Sequence, residues 1–302
     1  MFPNGNTGVT RHIVKALLPA AVPGPATMSG ICQSRVEFAA LDQPNQPTRI
    51  RLRATVVSIE HEGEATRAPH VNIVYFREGS LHRVRARSVV LANGNWTINS
   101  IVRDLPAEYR HAYAQFFRAP CIMANVAVRN WRFLAKMGIS QCQWFDGIGN
   151  YLAVRRVATF GGGAPALSPD SPTVLTLKIL FASPGKSLRE QVNTGRYQMM
   201  TPFSAYEKQI REQFARMFGK QGFDGRRDIA GIILNRWGHA YLTPQPGFFF
   251  GKDGKRPPAE LMRQHPFGRV AFANSDLSGI MDHRASITEA HRAVRQVLAS
   301  AM

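Results

Sequence analysis

The spacing of apolar residues divides the chain into alternating stretches, one unbroken apolar run and several helical stripes. Ile50, Leu52, Ala54 and Val56 alternate with polar residues across 49–60, which predicts a strand with one wet face. Residues 71–76 and 82–87 flank Glu78-Gly79-Ser80 and predict a hairpin. Val89-Val90-Leu91-Ala92 is apolar without a break, as in a strand buried on both faces, and it stops at Asn93-Gly94-Asn95. A hairpin placed just before such a strand predicts a β-excursion that returns the chain to a parallel sheet.

Helical spacing marks three further segments. Val9, Ile13, Ala16 and Leu17 form a stripe that ends before Pro19. Phe203, Tyr206, Ile210, Phe214 and Met217 share one face within 201–218, the clearest amphipathic helix of the chain, and read as core. Ile287, Ala290, Val294, Val297 and Leu298 form the last stripe. Residues 106–117 also read as a helix, and 121–128, 151–158, 174–181 and 229–234 as strands. Gly161-Gly162-Gly163 precedes no helix, so a loop is the better reading than a phosphate cradle. Near the end, Val270, Phe272 and Ala273 make a short apolar strand, 274–279 a polar turn, and a helix follows. That order aims unpaired backbone N–H groups at an anion such as a phosphate, although packing alone also produces it. The fold class expected from this pattern is α/β, with an α+β lobe between the two halves of a parallel layer.

Composition narrows the function. A chain of 302 residues that is 44% hydrophobic buries a sizeable core and has room for two lobes. No apolar run reaches the length of a membrane span, and no secretory signal heads the chain. Cys32, Cys121 and Cys142 are odd in number and widely spaced, so they read as packing residues and not as a disulfide framework or a zinc site. The formal charge of +18 invites a nucleic-acid partner. Against it, the basic residues are spread along the chain, and the densest group, Arg49, Arg51 and Arg53 with Arg83, Arg85 and Arg87, alternates as on the wet face of an antiparallel sheet. No nucleic-acid partner is therefore expected.

Several segments, in their order and spacing, resemble the FAD-dependent flavin amine oxidases and, within them, the spermidine dehydrogenase-like branch. The resemblance runs from Phe2-Pro3-Asn4-Gly5-Asn6, similar to a loop before a substrate-proximal helix, to about Leu298. Residues 54–59 resemble a strand whose backbone meets the adenine of FAD, which implies that role for Val56. Residues 85–92 are similar to the return strand of the flavin domain. Arg129-Asn130-Trp131, Pro202-Phe203 and Asn235-Arg236-Trp237 resemble landmarks of the substrate domain, and 268–276 the closing flavin motif, with Asp276 in place of its usual glutamate. The resemblance implies a partial FAD-binding Rossmann-like domain with an inserted hairpin over 1–96 and 266–302, and a mixed-sheet substrate domain over 97–265. Departures accompany it: the Gly-x-Gly-x-x-Gly fingerprint that seats the pyrophosphate is absent, as in the C-terminal portion of a longer protein. Cys121 falls where relatives carry a lysine near the flavin, and Asp282 where they carry an aromatic of the amine cage.

The activity implied is oxidation of a C–N bond of an amine, such as the polyamine spermidine, with hydride transfer to FAD. The spermidine dehydrogenases also leave room for a haem in the intact protein. Ala273, Asn274, Ser275, Asp276 and Val56 are the expected cofactor contacts, and Trp237 and Tyr241 the aromatic walls that orient an amine. Packing accounts for buried aromatics equally well, Asp276 also reads as a turn aspartate, and Trp131 reads as core. His239, between the two aromatics, tunes a substrate proton or simply forms a hydrogen bond. No metal is expected. The expected partners are a small amine and either a missing N-terminal half or a second copy of the chain. The alternative is a non-catalytic remnant or interaction protein that keeps the substrate-domain fold.

Overall fold

In the computed structural model, residues 5–155 and 168–299 are described. The strands are β1 (Thr55–His61), β2 (Val71–Arg77), β3 (Ser80–Ala86), β4 (Val89–Leu91), β5 (Arg118–Val128), β6 (Gln141–Gln143), β7 (Tyr151–Val154), β8 (Thr173–Leu180), β9 (Ile229–Leu242) and β10 (Val270–Phe272). The helices are α1 (Asn6–Leu17), α2 (Met28–Gln33), α3 (Ile98–Ile101), α4 (Ala107–Tyr113), α5 (Arg132–Lys136), α6 (Leu188–Met199), α7 (Phe203–Phe218), α8 (Gly225–Asp228), α9 (Pro258–Gln264) and α10 (His283–Ala299). The architecture is mixed α and β, as expected. The Gly161 triplet, the end of the strand expected over 151–158 and the first residues of the N-terminal loop lie outside the described residues.

β1, β2 and β3 form an antiparallel meander, and the predicted hairpin closes through Glu78 and Gly79, both at positive φ. The strand expected from residue 49 begins only at Thr55. Arg53 sits in the left-handed region at φ 55°, which breaks the extended run, and Ile50 turns away to pack on Leu18, Ala21 and Leu41. Arg83 and Arg85 are exposed on β3, where Leu81 and Val84 are exposed as well, but Arg49, Arg51 and Arg53 precede β1 and lie on no strand, so they do not share a sheet face with them. Arg49, Arg51 and Arg77 instead converge on Asp42. The Arg51 hydrogen bond, followed by that of Arg49, holds the Asp42 carboxyl well below its usual range.

The unbroken apolar run and the strand near the C-terminus pair in parallel, Val89 with Val270, Val90 with Ala271 and Leu91 with Phe272. Two strands separated by more than half the chain thus form one layer. Side chains alternate across it. Val89, Leu91, Val270 and Phe272 face a large apolar core with Ile98, Tyr109, Tyr113, Phe116 and Met262, while Ala271 and Ala273 meet Ala293 of α10.

That second face brings a correction to the last helical stripe. Glu289 and Ala293 turn inward, Val297 packs beside Ala293, and Ile287, Val294 and Leu298 remain 51%, 44% and 61% exposed. The buried Glu289 carboxylate is held by Arg263 and Arg292.

β5 to β9 make the other sheet, antiparallel in the order β6-β7-β8-β5-β9. Its inner face, Ile122, Ala124, Val126, Leu175 and Leu177, packs on the Tyr206, Ile210, Phe214 and Phe218 stripe of α7. Met217 packs partly buried against the same core and Phe218 is buried beside it, its ring 5.0 Å from Phe133, but Phe203, expected on the stripe, is 45% exposed. Trp131 packs against this core, as expected. β9 runs eight residues past its predicted end, because its pairing with β5 continues to Arg118 opposite Leu242. Residues 235–241 are therefore strand, not loop.

Among the described residues no helix is long and apolar enough to cross a membrane. No cluster of three potential metal ligands occurs among them either.

Candidate functional site

The C-terminal ends of β4 and β10 lie side by side, and ligands of parallel layers bind beyond such ends. Asn274 joins the two. Held at φ 100°, it donates from Nδ2 to the Asn93 carbonyl at 3.1 Å and accepts at Oδ1 from the Asp276 N–H at 3.0 Å. After β4, the chain turns at Gly94 so tightly that a Cβ there would lie 1.8 Å from the Trp96 ring. Only glycine lets the indole fold back over its own backbone.

Trp96 is the floor of a cationic stack. Its ring lies parallel to His239 at 4.5 Å, and the Arg118 guanidinium stands 4.9 Å from it. Arg118, the first residue of β5, donates from Nη1 to both Asp276 carboxylate oxygens at 2.7 Å. Its Nε and Nη2 reach the carbonyls of His239 and Ala240. Asp276 is fully buried and the Arg118 side chain is 14% exposed. Taking charges out of water is costly, and the pair is tolerable because both carboxylate oxygens accept from Nη1 while the other guanidinium nitrogens are satisfied by carbonyls. It bonds the parallel layer to the end of the antiparallel sheet.

His239 accepts from Arg196 at Nδ1, 3.0 Å away. Burial first, then the charges of Arg196 and Arg118, push its pKa below the usual value, so the ring is neutral near pH 7. It is a polar spacer between cations, not a proton carrier poised for acid.

The expected site residues fall in three places. Ala273, Asn274, Ser275 and Asp276 lie together at the end of β10, but both Asp276 oxygens are engaged by Arg118. Trp237 and Tyr241 are 58% and 40% exposed near the end of β9, opposite Cys121 and Ala119. They belong to the outer side of the antiparallel sheet, where Ile233 is also exposed and Asn235 donates to the Met123 carbonyl. Burial raises the pKa of the Cys121 thiol, so it is no substitute for a lysine ammonium. Val56 lies on β1, in a different sheet. Asp282 caps α10 through the Arg284 N–H at 2.7 Å and pairs with the Arg284 guanidinium, and these bonds lower its pKa to about 2. Arg118, Trp96 and Arg196 escaped the sequence reading, since nothing in their spacing marks them.

One orphan bears on a cofactor. Asn95, just past the end of β4, is 1% exposed and its Nδ2 has no partner among the described residues. A buried donor at the rim of the layer fits a ligand with acceptor atoms, as a flavin has.

No protein-family model matches the sequence, and no curated protein matches it. Solved structures do. Putrescine oxidase with putrescine bound is similar over 82% of this chain and 48% of its own, with a TM-score of 0.55 and 14% identity. The chain shares the fold of about half of putrescine oxidase. A double mutant from a redesign of that enzyme's cofactor binding gives the same coverage and identity at a TM-score of 0.54. Cyclohexylamine oxidase from Brevibacterium oxydans IH-35A is 18% identical over 82% of this chain and 47% of its own, at a TM-score of 0.48. The chain spans about half the length of the putrescine oxidase chains it resembles.

Proposed function

We propose that this chain forms part of a flavin-dependent amine oxidoreductase. The observation that carries the reading is the parallel pairing of β4 with β10, whose ends open beside the Arg118–Asp276 bridge. The fold shared with putrescine oxidase supports it. Residues 1–96 and 266–302 belong to the flavin side in this reading and 97–265 to the substrate side.

Bound FAD supplies the hydride acceptor for the carbon beside the amine nitrogen. Asn95 and the backbone at Ala273, Asn274 and Ser275 hold the cofactor at the strand ends. Arg118 is positioned by Asp276 and keeps Trp96 and His239 in place beneath that rim. Trp237 and Tyr241 orient the amine, since ring faces attract a nitrogen that carries or has just lost a proton. A diamine or polyamine of the putrescine or spermidine kind is the substrate class. No strong base is required of the chain, in keeping with a buried, protonated Cys121 and a neutral His239.

FAD titration of the purified chain, followed by flavin fluorescence, tests the cofactor half of this reading. Saturable quenching is expected, weakened in Asn95→Leu. Quenching that never saturates, or that Asn95→Leu leaves unaltered, removes the assignment.

A further inference from the structure

Between α4, the start of β5 and α6 lies a cavity of about 300 Å³, at the small end of the range for small-molecule sites. Tyr113 lines it. Its ring is locked against Phe116 and Phe272, 5.8 and 5.5 Å away, and the residue is 3% exposed. Its hydroxyl nevertheless has no partner among the described residues, and neither has Oδ1 of Asn99 on the same wall. Leaving a buried polar group unpaired is unfavourable. A donor and an acceptor orphaned together mark a place shaped for something else.

The charges around the cavity give that something a sign. Arg189 stacks its guanidinium on Phe117 at 5.3 Å and has no ion pair among the described residues. Arg196 spends Nε and Nη2 on the carbonyls of Gly238 and Arg118 and on His239, while Nη1 has a 3.5 Å contact with Asn193. No carboxylate pairs with it among the described residues. Arg118, the third arginine on the wall, is already neutralised by Asp276. Two cations without a carboxylate partner among the described residues thus line the same cavity as Tyr113, and burial makes the charge on Arg196 costly to keep.

We propose that this cavity binds a small oxyanion, a carboxylate or phosphate group that carries a hydroxyl or proton of its own. Its oxygens accept from Tyr113, Arg189 and Arg196, and its own donor bonds Asn99 Oδ1. Guanidinium pairs with both kinds of oxyanion through the same planar donor geometry. The cavity shares Trp96, Arg118 and His239 with the rim described above, but the proposal rests on Tyr113, Asn99, Arg189 and Arg196 and does not depend on the flavin reading.

The test is thermal unfolding and calorimetric titration of the purified chain without flavin. Inorganic phosphate and malate, whose hydroxyl supplies the donor, are compared in separate arms with sodium chloride at equal ionic strength. A saturable stabilisation beyond that of chloride is expected from at least one of the two. Phosphate alone assigns a phosphate ligand, malate alone a hydroxy-carboxylate, and both together the shared chemistry. Tyr113→Phe and Arg189→Gln should each weaken binding about tenfold or more, the scale of one hydrogen bond to a charged group. Neither should change the unliganded melting temperature much, because neither side chain has a hydrogen-bonding partner to lose. No saturable effect beyond chloride, or affinity within about twofold of wild type in either variant, overturns the proposal.

Discussion

Replacing Arg118 with methionine leaves the Asp276 carboxylate buried, with its two 2.7 Å hydrogen bonds gone. The carbonyls of His239 and Ala240 lose their donors as well. Breaking a buried pair from one side costs about 3–5 kcal/mol, most of it the stranded charge. At about 2–4 °C per kcal/mol for a domain of this size, the unfolding midpoint should fall by about 6–20 °C. Asp276→Asn should cost less, about 2–3 kcal/mol, since Arg118 keeps its carbonyl bonds and some access to water. The two changes together should cost less than their sum by about 1–3 kcal/mol, because the second removes a charge that the first has stranded. Urea unfolding of wild type, both single variants and the double variant measures all of these. A loss under about 1 kcal/mol for Arg118→Met, or additive effects within about 0.5 kcal/mol, refutes the argument that this bridge joins the two sheets.

Three further outcomes follow from the same structure. Gly94→Ala should expel the Trp96 ring, with the near-ultraviolet circular dichroism of the stacked indole lost and the far-ultraviolet spectrum kept. Because the His239 pKa is lowered on folding, the unfolded chain binds more protons below about pH 6.5, so stability falls as pH drops through that value towards the folded pKa. His239→Gln should flatten that slope in urea melts taken between about pH 8 and about pH 5, and an unchanged slope contradicts the assignment. Phe214→Ala, at a fully buried position of α7, should cost about 3–5 kcal/mol by opening a cavity against Phe218 and Phe223. A loss under about 1 kcal/mol in calorimetry contradicts that packing.

Period and run length made the frame of this fold legible. The apolar run at Val89 pairs with Val270 because a strand apolar on both faces has to be covered on both, and the parallel layer has the large core on one face and α10 on the other. The hairpin through Gly79 and the stripe of α7 were visible for the same reason. What periodicity cannot carry is chemistry between distant positions. Arg118 and Asp276 stand 158 residues apart, and an arginine at a strand start looks like any surface charge until its partner is placed. The exposed Ile287, Val294 and Leu298 mark a second limit: apolar spacing shows that a helix has a greasy side, while the surface it packs on and the ion pairs of Glu289 accompany a different side turning in. Asp282, read as a gap in an aromatic cage, proved to be the cap of α10.

The central claim is that an amine reaches a flavin held at the ends of β4 and β10. Anaerobic addition of putrescine or spermidine to the FAD-loaded protein tests it most directly. The account predicts that the visible band of the oxidised flavin bleaches on mixing and that Trp237→Ala slows the bleaching. A flavin that binds and stays yellow with both amines contradicts it.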